Sequence, residues 1–235
     1  MKWPWIMTQR WQHLLYQHYR VDEDELRALL PDELEIDTYD GSAWVSLIPL
    51  LMNHVHLRDL VPVPTTNRFP EMNLRTYVHR KGVQGVWFLS IDACSWFSVQ
   101  IARRAFHIPY YDADMTFTPT ADGYHFTSRR PGATADGAGE VHYQADYRPT
   151  GTPGLPPADS VHAFLAERYC MYSTSASGKL LRGDISHSPW HIQGAEVSVT
   201  DNNVLPAIGL HPLADPVVAY SPGTVAVAWP MCSAG

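Results

Sequence analysis

Residues 69–78 read FPEMNLRTYV. Successive side chains of an extended chain point to opposite faces, so Glu71, Asn73, Arg75 and Tyr77 share one face, and Met72, Leu74, Thr76 and Val78 share the other. The first face carries a carboxylate that can move a proton, an amide that can give and accept a hydrogen bond, and a guanidinium that can hold an anion. A rise of about 3.3 Å per residue sets Glu71 about 7 Å from Asn73 and about 13 Å from Arg75, too far for acid and base to pair directly. The row is therefore a wet outer face, a face paired with a neighbouring strand, or the wall of a cavity. The stretch alone leaves all three open.

A second group lies at Ile108-Pro109-Tyr110-Tyr111. Proline disfavours a helical backbone at Ile108, so the chain extends into two tyrosines that face opposite ways. A phenol with a pKa of about 10 is a hydrogen-bond donor and can act as a general acid. Its plain alternative is an aromatic wall residue. Arg103, beside Trp96 and Phe106, either complements the end of a helix or holds a carboxylate at a pocket mouth. Arg20, His18, Asp92, Arg129, Tyr143 and Arg182 are weaker candidates.

Other chemistries are set aside. The sequence has no GxGxxG, no phosphate loop and no GxSxG elbow. His54 and His56 would share a strand face, but no carboxylate or cysteine at ligand spacing joins them, so no metal is expected. No cofactor is expected either. Cys94, Cys170 and Cys232 are three isolated cysteines, a count that suits a reducing cytosol better than a disulfide framework. The net charge is −7 without a run of Lys or Arg, which speaks against nucleic acid and against an anionic membrane surface. No stretch approaches the apolar length of a membrane-spanning helix. The expectation is a cytoplasmic protein whose partner is a small-molecule ligand. The sequence does not fix the assembly, homo-oligomer included.

The elements that must position these residues are mostly strands. At 235 residues, 45% of them apolar, with eight Trp and twelve Tyr, the chain can bury a sizeable core. Alternation and turn residues predict strands over 11–21, 33–37, 43–57 (with a break at Pro49), 69–78, 84–93, 110–118, 123–130, 140–148, 179–187 and 194–200, and closing strands over 217–229. Acidic residues at the start of DEDELRALLP and its leucine spacing predict a short helix stopped by Pro31. Further helices are expected over 95–106, 158–170 and near 203–209. Many strands with a few short helices indicate an α+β, mainly β fold with a curved sheet or barrel. The whole of 1–235 is read as one domain.

The order YRVDEDELRALLPDELEID, AWVSLIPLLM, FPEMNLRTYV and ARRAFHIPYYDADM resembles the acetoacetate-decarboxylase-like superfamily, and more closely its YqjF-type bacterial branch. FLAERYCMYS and VAYSPGTVAVAW extend the likeness to about residue 230. The resemblance implies a conical, mostly antiparallel β-barrel with an interior pocket. Decarboxylases of the superfamily form a Schiff base on a lysine, in a pattern aromatic-Pro-Lys-Lys. Here both lysine positions are tyrosines, Tyr110 and Tyr111, and a phenol cannot form an imine. The three lysines of the chain are Lys2, Lys81 and Lys179, none in that pattern. A pocket glutamate of the superfamily matches Glu71, and a second falls near Ser46 and is lost here. The resemblance thus implies that Glu71, Asn73 and Arg75 face a pocket, that Tyr110 rather than Tyr111 enters it, and that Ser46 lies beside it. The function expected is binding of an organic acid or polar aromatic. Any catalysis would be of lyase or isomerase type, on a carbonyl compound and without a catalytic lysine. The alternative is a non-catalytic binding or sensing protein on the same scaffold.

Overall fold

The computed structural model describes residues 4–57, 61–62, 68–94, 106–132 and 139–235. Strand β1 (Met7–Val21) leads into a one-turn helix, α1 (Glu23–Arg27), and a short strand, β2 (Glu35–Ile36). Next come β3 (Ala43–Leu57), β4 (Val61–Pro62), β5 (Arg68–Arg80) and β6 (Val83–Ala93). Then follow β7 (Tyr110–Asp112), β8 (Asp114–Pro119), β9 (Tyr124–Pro131) and β10 (Glu140–Gly154). Helix α2 (Val161–Ala166) precedes β11 (Cys170–Thr174), β12 (Leu180–His187) and β13 (Ile192–Asn202). A single 3-10 turn at Pro206–Ile208, β14 (Val217–Ala228) and β15 (Cys232–Ser233) complete the described chain.

The sheet closes on itself. β1 pairs with β3, β3 with β5, β5 with β6, β6 with β11, β11 with β12, β12 with β14, and β14 with β1. From β14 the sheet continues through β13, β10, β9 and β8. This outer part lies over the ring: Met72 and Leu74 of β5 and Val45 and Leu47 of β3 pack in one core with Phe126 and Val141. The opposite face of the same strands forms a second core inside the ring, with Ile48, Leu50, Phe69 and Tyr77. β5 is therefore buried on both faces. The mainly β fold with a curved, closed sheet that the sequence implies is present, with one refinement. Most pairings are antiparallel, but β6 pairs in parallel with both β11 and β7. Gly85 permits the β6–β11 seam: a Cβ there would come within 2.9 Å of the Cys170 carbonyl oxygen.

Local chemistry accounts for several boundaries. Asp22 caps α1 by accepting from the backbone N–H groups of Asp24 and Glu25, and the acidic first turn complements the helix dipole. Pro49 does not break β3, contrary to expectation. It pairs with Met72 on one side. On the other side the β1 register slips between Gln12/Leu51 and Gln17/Leu47, so the missing N–H faces an irregular stretch of the ladder. That bulge centres on His13, whose φ is +55°.

The helix expected over 158–170 ends at Ala166, because Cys170–Thr174 is taken into the ring between β6 and β12. The closing segment is one strand, and the helix near 203–209 is a single 3-10 turn. Of the helix expected over 95–106, all but Phe106 lies outside the described residues.

Candidate functional site

The inward row of β5 lines a cavity of about 130 Å³. Its wall is mostly apolar and includes Ile48 and Leu50 from β3, Phe69 from β5, Ile91 from β6 and Ile108 beside β7. Against this apolar lining stand Glu71, Asn73, Arg75, Tyr110 and Arg168. The polar side chains of FPEMNLRTYV thus face the interior, and the alternatives of a wet face or a simple cross-strand ion pair do not describe them.

Glu71 is 4% exposed. Its cross-strand neighbours are Leu50 and Ala93, and neither can solvate a carboxylate. Burial raises its pKa from 4.5 to about 7, against the opposing effect of a hydrogen bond from Tyr110. That bond runs from the Tyr110 hydroxyl to Glu71 Oε2 over 3.1 Å. It exists because β7 lies parallel to β6 with Tyr110 beside Ile91 and Tyr111 beside Asp92. The two tyrosines take opposite sides, as alternation requires: Tyr110 enters the cavity, and Tyr111 lies under the Arg130 guanidinium at 4.1 Å. Arg130 is in turn paired with buried Asp92 at 3.2 Å.

Arg75 and Arg168 converge on the end of α2. A short helix leaves its last carbonyls without intrahelical partners, and cations satisfy them well. Arg75 Nη2 donates to the Leu165 carbonyl at 3.2 Å, and Arg168 Nε donates to the Phe164 carbonyl at 2.9 Å. Both guanidiniums lie over the Tyr77 ring, at 5.6 and 5.3 Å. Arg168 is 6% exposed and also pairs with Asp37 through Nη1. Among the described residues, Arg75 Nε and Arg168 Nη2 have no hydrogen-bond partner, and neither does Asn73 Oδ1.

The remaining expected residues are placed as follows. Ser46 shares the inward face of β3 with Ile48 but does not line the cavity. Its hydroxyl is sealed beneath, 2.5 Å from the Tyr77 hydroxyl and 2.6 Å from His18 Nδ1. A direct ligand role at Ser46 is replaced by one of fixing Tyr77, the ring under both arginines. Arg103 lies outside the described residues. Arg20, Arg129 and Arg182 form ion pairs with Asp40, Glu140 and Asp184 away from the cavity. Tyr143 donates to Gln17 at 2.5 Å in the buried core. Lys81 and Lys179 are exposed and do not line the cavity. His54 and His56 contact edge to face at 6.0 Å, and no group of three metal-type ligands forms among the described residues.

Arg168 is the site residue that the sequence reading missed. It sits in FLAERYC, where its position reads as an ordinary cation at a helix end. Only the helix stopping at Ala166 turns it inward.

Known proteins show the same scaffold. The chain is 40% identical over 228 residues to the uncharacterized protein YqjF of Bacillus subtilis (strain 168), covering 97% of this chain and 92% of that one. Among solved structures it superposes on the enduracididine biosynthesis enzyme MppR with HEPES buffer bound, with a TM-score of 0.67 at 16% identity over 100% of this chain and 89% of that one. It superposes likewise on the acetoacetate decarboxylase of Legionella pneumophila, with a TM-score of 0.66 at 14% identity over 99% and 90% of the two chains. At such identities the likeness is one of fold: an acetoacetate-decarboxylase-like scaffold, here carrying a pocket. Residues 8–225 match the profile of a family described as uncharacterized conserved protein (COG2071), and the chain belongs to that family, DUF2071.

Proposed function

We propose that the cavity binds a small organic carboxylate, with Arg75 and Arg168 holding the anion and Glu71, bonded to Tyr110, exchanging protons with the bound molecule. The observation that carries this reading is the pair of buried guanidinium N–H groups without a partner among the described residues, Arg75 Nε and Arg168 Nη2. Buried donors on cations call for an anion, and a planar fork suits a carboxylate. Arg168 is largely balanced by Asp37, whereas no ion pair involving Arg75 is found among the described residues, so the site favours a single negative charge. One structural neighbour, MppR, has been solved in complex with pyruvate, a carboxylate of this size class.

If the protein is an enzyme, its chemistry is of lyase or isomerase type on a carbonyl compound. Glu71, with a pKa of about 7, is matched to giving and taking a proton near neutrality. The Arg75 guanidinium and the Tyr110 hydroxyl would stabilise developing oxyanion charge. No imine and no cofactor enters this scheme. It takes residues 1–235 as one domain acting in the cytoplasm. A non-catalytic binding or sensing role is the second reading. It is favoured by Tyr110 and Tyr111, which occupy the positions where the resemblance places the reactive lysines.

A thermal-shift panel of short carboxylates, with ring-bearing acids for comparison, tests the proposal. Carboxylates should raise the melting temperature of the protein, and Arg75→Met should abolish the rise. Failure of every carboxylate to stabilise the protein would remove the proposal. Glu71→Gln separates the two roles, since an enzyme loses turnover with it while a binder keeps most of its affinity.

A further inference from the structure

Asn73 occupies the middle of the polar row and is 8% exposed. Its cross-strand neighbours are Ile48 on β3 and Ile91 on β6, so neither adjoining strand offers it a polar side chain. Glu71 and Tyr77 of the same row are answered within the protein, and Arg75 is answered in part. Glu71 receives the Tyr110 hydroxyl, Arg75 reaches the Leu165 carbonyl, and Tyr77 meets Ser46. Asn73 Oδ1 has no hydrogen-bond partner among the described residues. A buried amide oxygen left without a donor is destabilising, and Asn73 is among the residues that line the cavity.

We infer that the ligand is a short hydroxycarboxylate, whose hydroxyl donates to Asn73 Oδ1 while its carboxylate rests on Arg75 and Arg168. This deepens the carboxylate reading above and rests on it. Three features select the class. The orphan atom is an acceptor, so the ligand must bring a donor; a ketone oxygen would set acceptor against acceptor. The donor is a hydroxyl rather than an ammonium, because the two guanidiniums disfavour a third cation beside them. The cavity volume of about 130 Å³ is close to the roughly 150 Å³ that accommodates benzene, which limits the ligand to a chain of a few carbons. A site built to pair a substrate hydroxyl rejects the analogue that lacks it far more strongly than an apolar pocket rejects a missing methylene.

Isothermal titration calorimetry on the full chain tests this with matched sets: butanoate, 3-hydroxybutanoate and 3-oxobutanoate, then propanoate, 2-hydroxypropanoate, 2-oxopropanoate and 2-aminopropanoate. In at least one set the hydroxy acid should bind about tenfold or more tighter than its deoxy and oxo partners. Asn73→Leu should bring hydroxy and deoxy acids to within about threefold of each other. The comparison within the wild type stands even if the variant fails to fold. Equal binding of hydroxy and deoxy acids, or a preference for the oxo or amino acid, overturns the hydroxyl inference and leaves the carboxylate reading intact. No binding by any member overturns both.

Discussion

The Tyr110 hydroxyl and the Glu71 carboxylate meet at 3.1 Å in a wall whose other side chains are mostly apolar. Each changes the other. The phenol favours the charged form of the acid and so limits the rise that burial alone would produce, and the phenol's own pKa is pushed well up by burial first and by the acid in addition. Tyr110→Phe removes that donor while keeping the ring. The Glu71 pKa should then rise further above about 7, read as the pH midpoint of its carboxyl carbon resonance by NMR. An unchanged or lowered midpoint would show that the hydroxyl does not act on the carboxylate.

The buried carboxylate also sets a pH dependence of stability. Glu71 titrates at 4.5 in its unperturbed form and at about 7 in the folded protein. Between these values the folded state holds a proton that the unfolded state has released, so unfolding releases protons and stability falls as pH rises. Below pH 4.5 both states are protonated, and above about 7 both are ionised, so the change is confined to that window. At about 1.4 kcal/mol per pH unit the window amounts to about 3 kcal/mol. In urea unfolding, the stability of the wild type relative to Glu71→Gln should fall by an amount of this order from pH 4.5 to 7.5, because Asp92, which burial raises to about 6, and His18, which burial lowers, act alike in both proteins. A wild-type curve that climbs through the window, unchanged by Glu71→Gln, would contradict the assignment.

The Arg168–Asp37 pair is unequal in burial. The arginine side chain is 2% exposed and the aspartate 12%, and Asp37 also accepts from Gln84 at 2.8 Å. Removing one partner of a buried pair is costly chiefly for the charge left behind. Asp37→Asn strands the deeper guanidinium, whereas Arg168→Met leaves an aspartate that keeps Gln84 and some access to water. Asp37→Asn should therefore be the more destabilising of the two, costing about 3–5 kcal/mol in chemical denaturation, although Asp37 does not line the cavity. The reverse order would mean that Asp37 does not neutralise Arg168.

How much of this could be read beforehand differs from element to element. The alternation in β5 and the β-branched and apolar runs of β3 and β6, each bounded by turn or loop residues, place these strands' boundaries within a residue or two. The same alternation groups Glu71, Asn73 and Arg75. It could not say that both faces are buried, since that depends on β8–β10 covering one side and the ring enclosing the other. Residues 167–170 continue the helical pattern of α2, and only pairing with Val86 and Trp87 on a distant strand turns the following segment into β11. Arg168 was hidden for the same reason. The resemblance sets Ser46 beside the pocket, but its enclosure by His18 and Tyr77 needs strand registers that no local spacing encodes.

The last prediction concerns the position where the resemblance to decarboxylases is most sharply broken. The wild type presents a phenol at residue 110, and its exposed Lys81 and Lys179 lie away from the cavity. Incubation with 2-oxopropanoate followed by borohydride should leave its mass unchanged. Tyr110→Lys would put an amine in the same apolar wall, where burial lowers the pKa of an ammonium and frees the base to attack a carbonyl. Attack with loss of water gives an imine, and hydride reduction fixes it as a secondary amine. Intact-mass spectrometry should then find one adduct, mapped by peptide analysis to position 110. An adduct on the wild type at Lys81 or Lys179 would overturn the claim that the native chemistry is free of imines. A Tyr110→Lys protein that folds but stays unmodified would mean that residue 110 does not face bound ligand, and Glu71 would lose its place beside the reacting carbon.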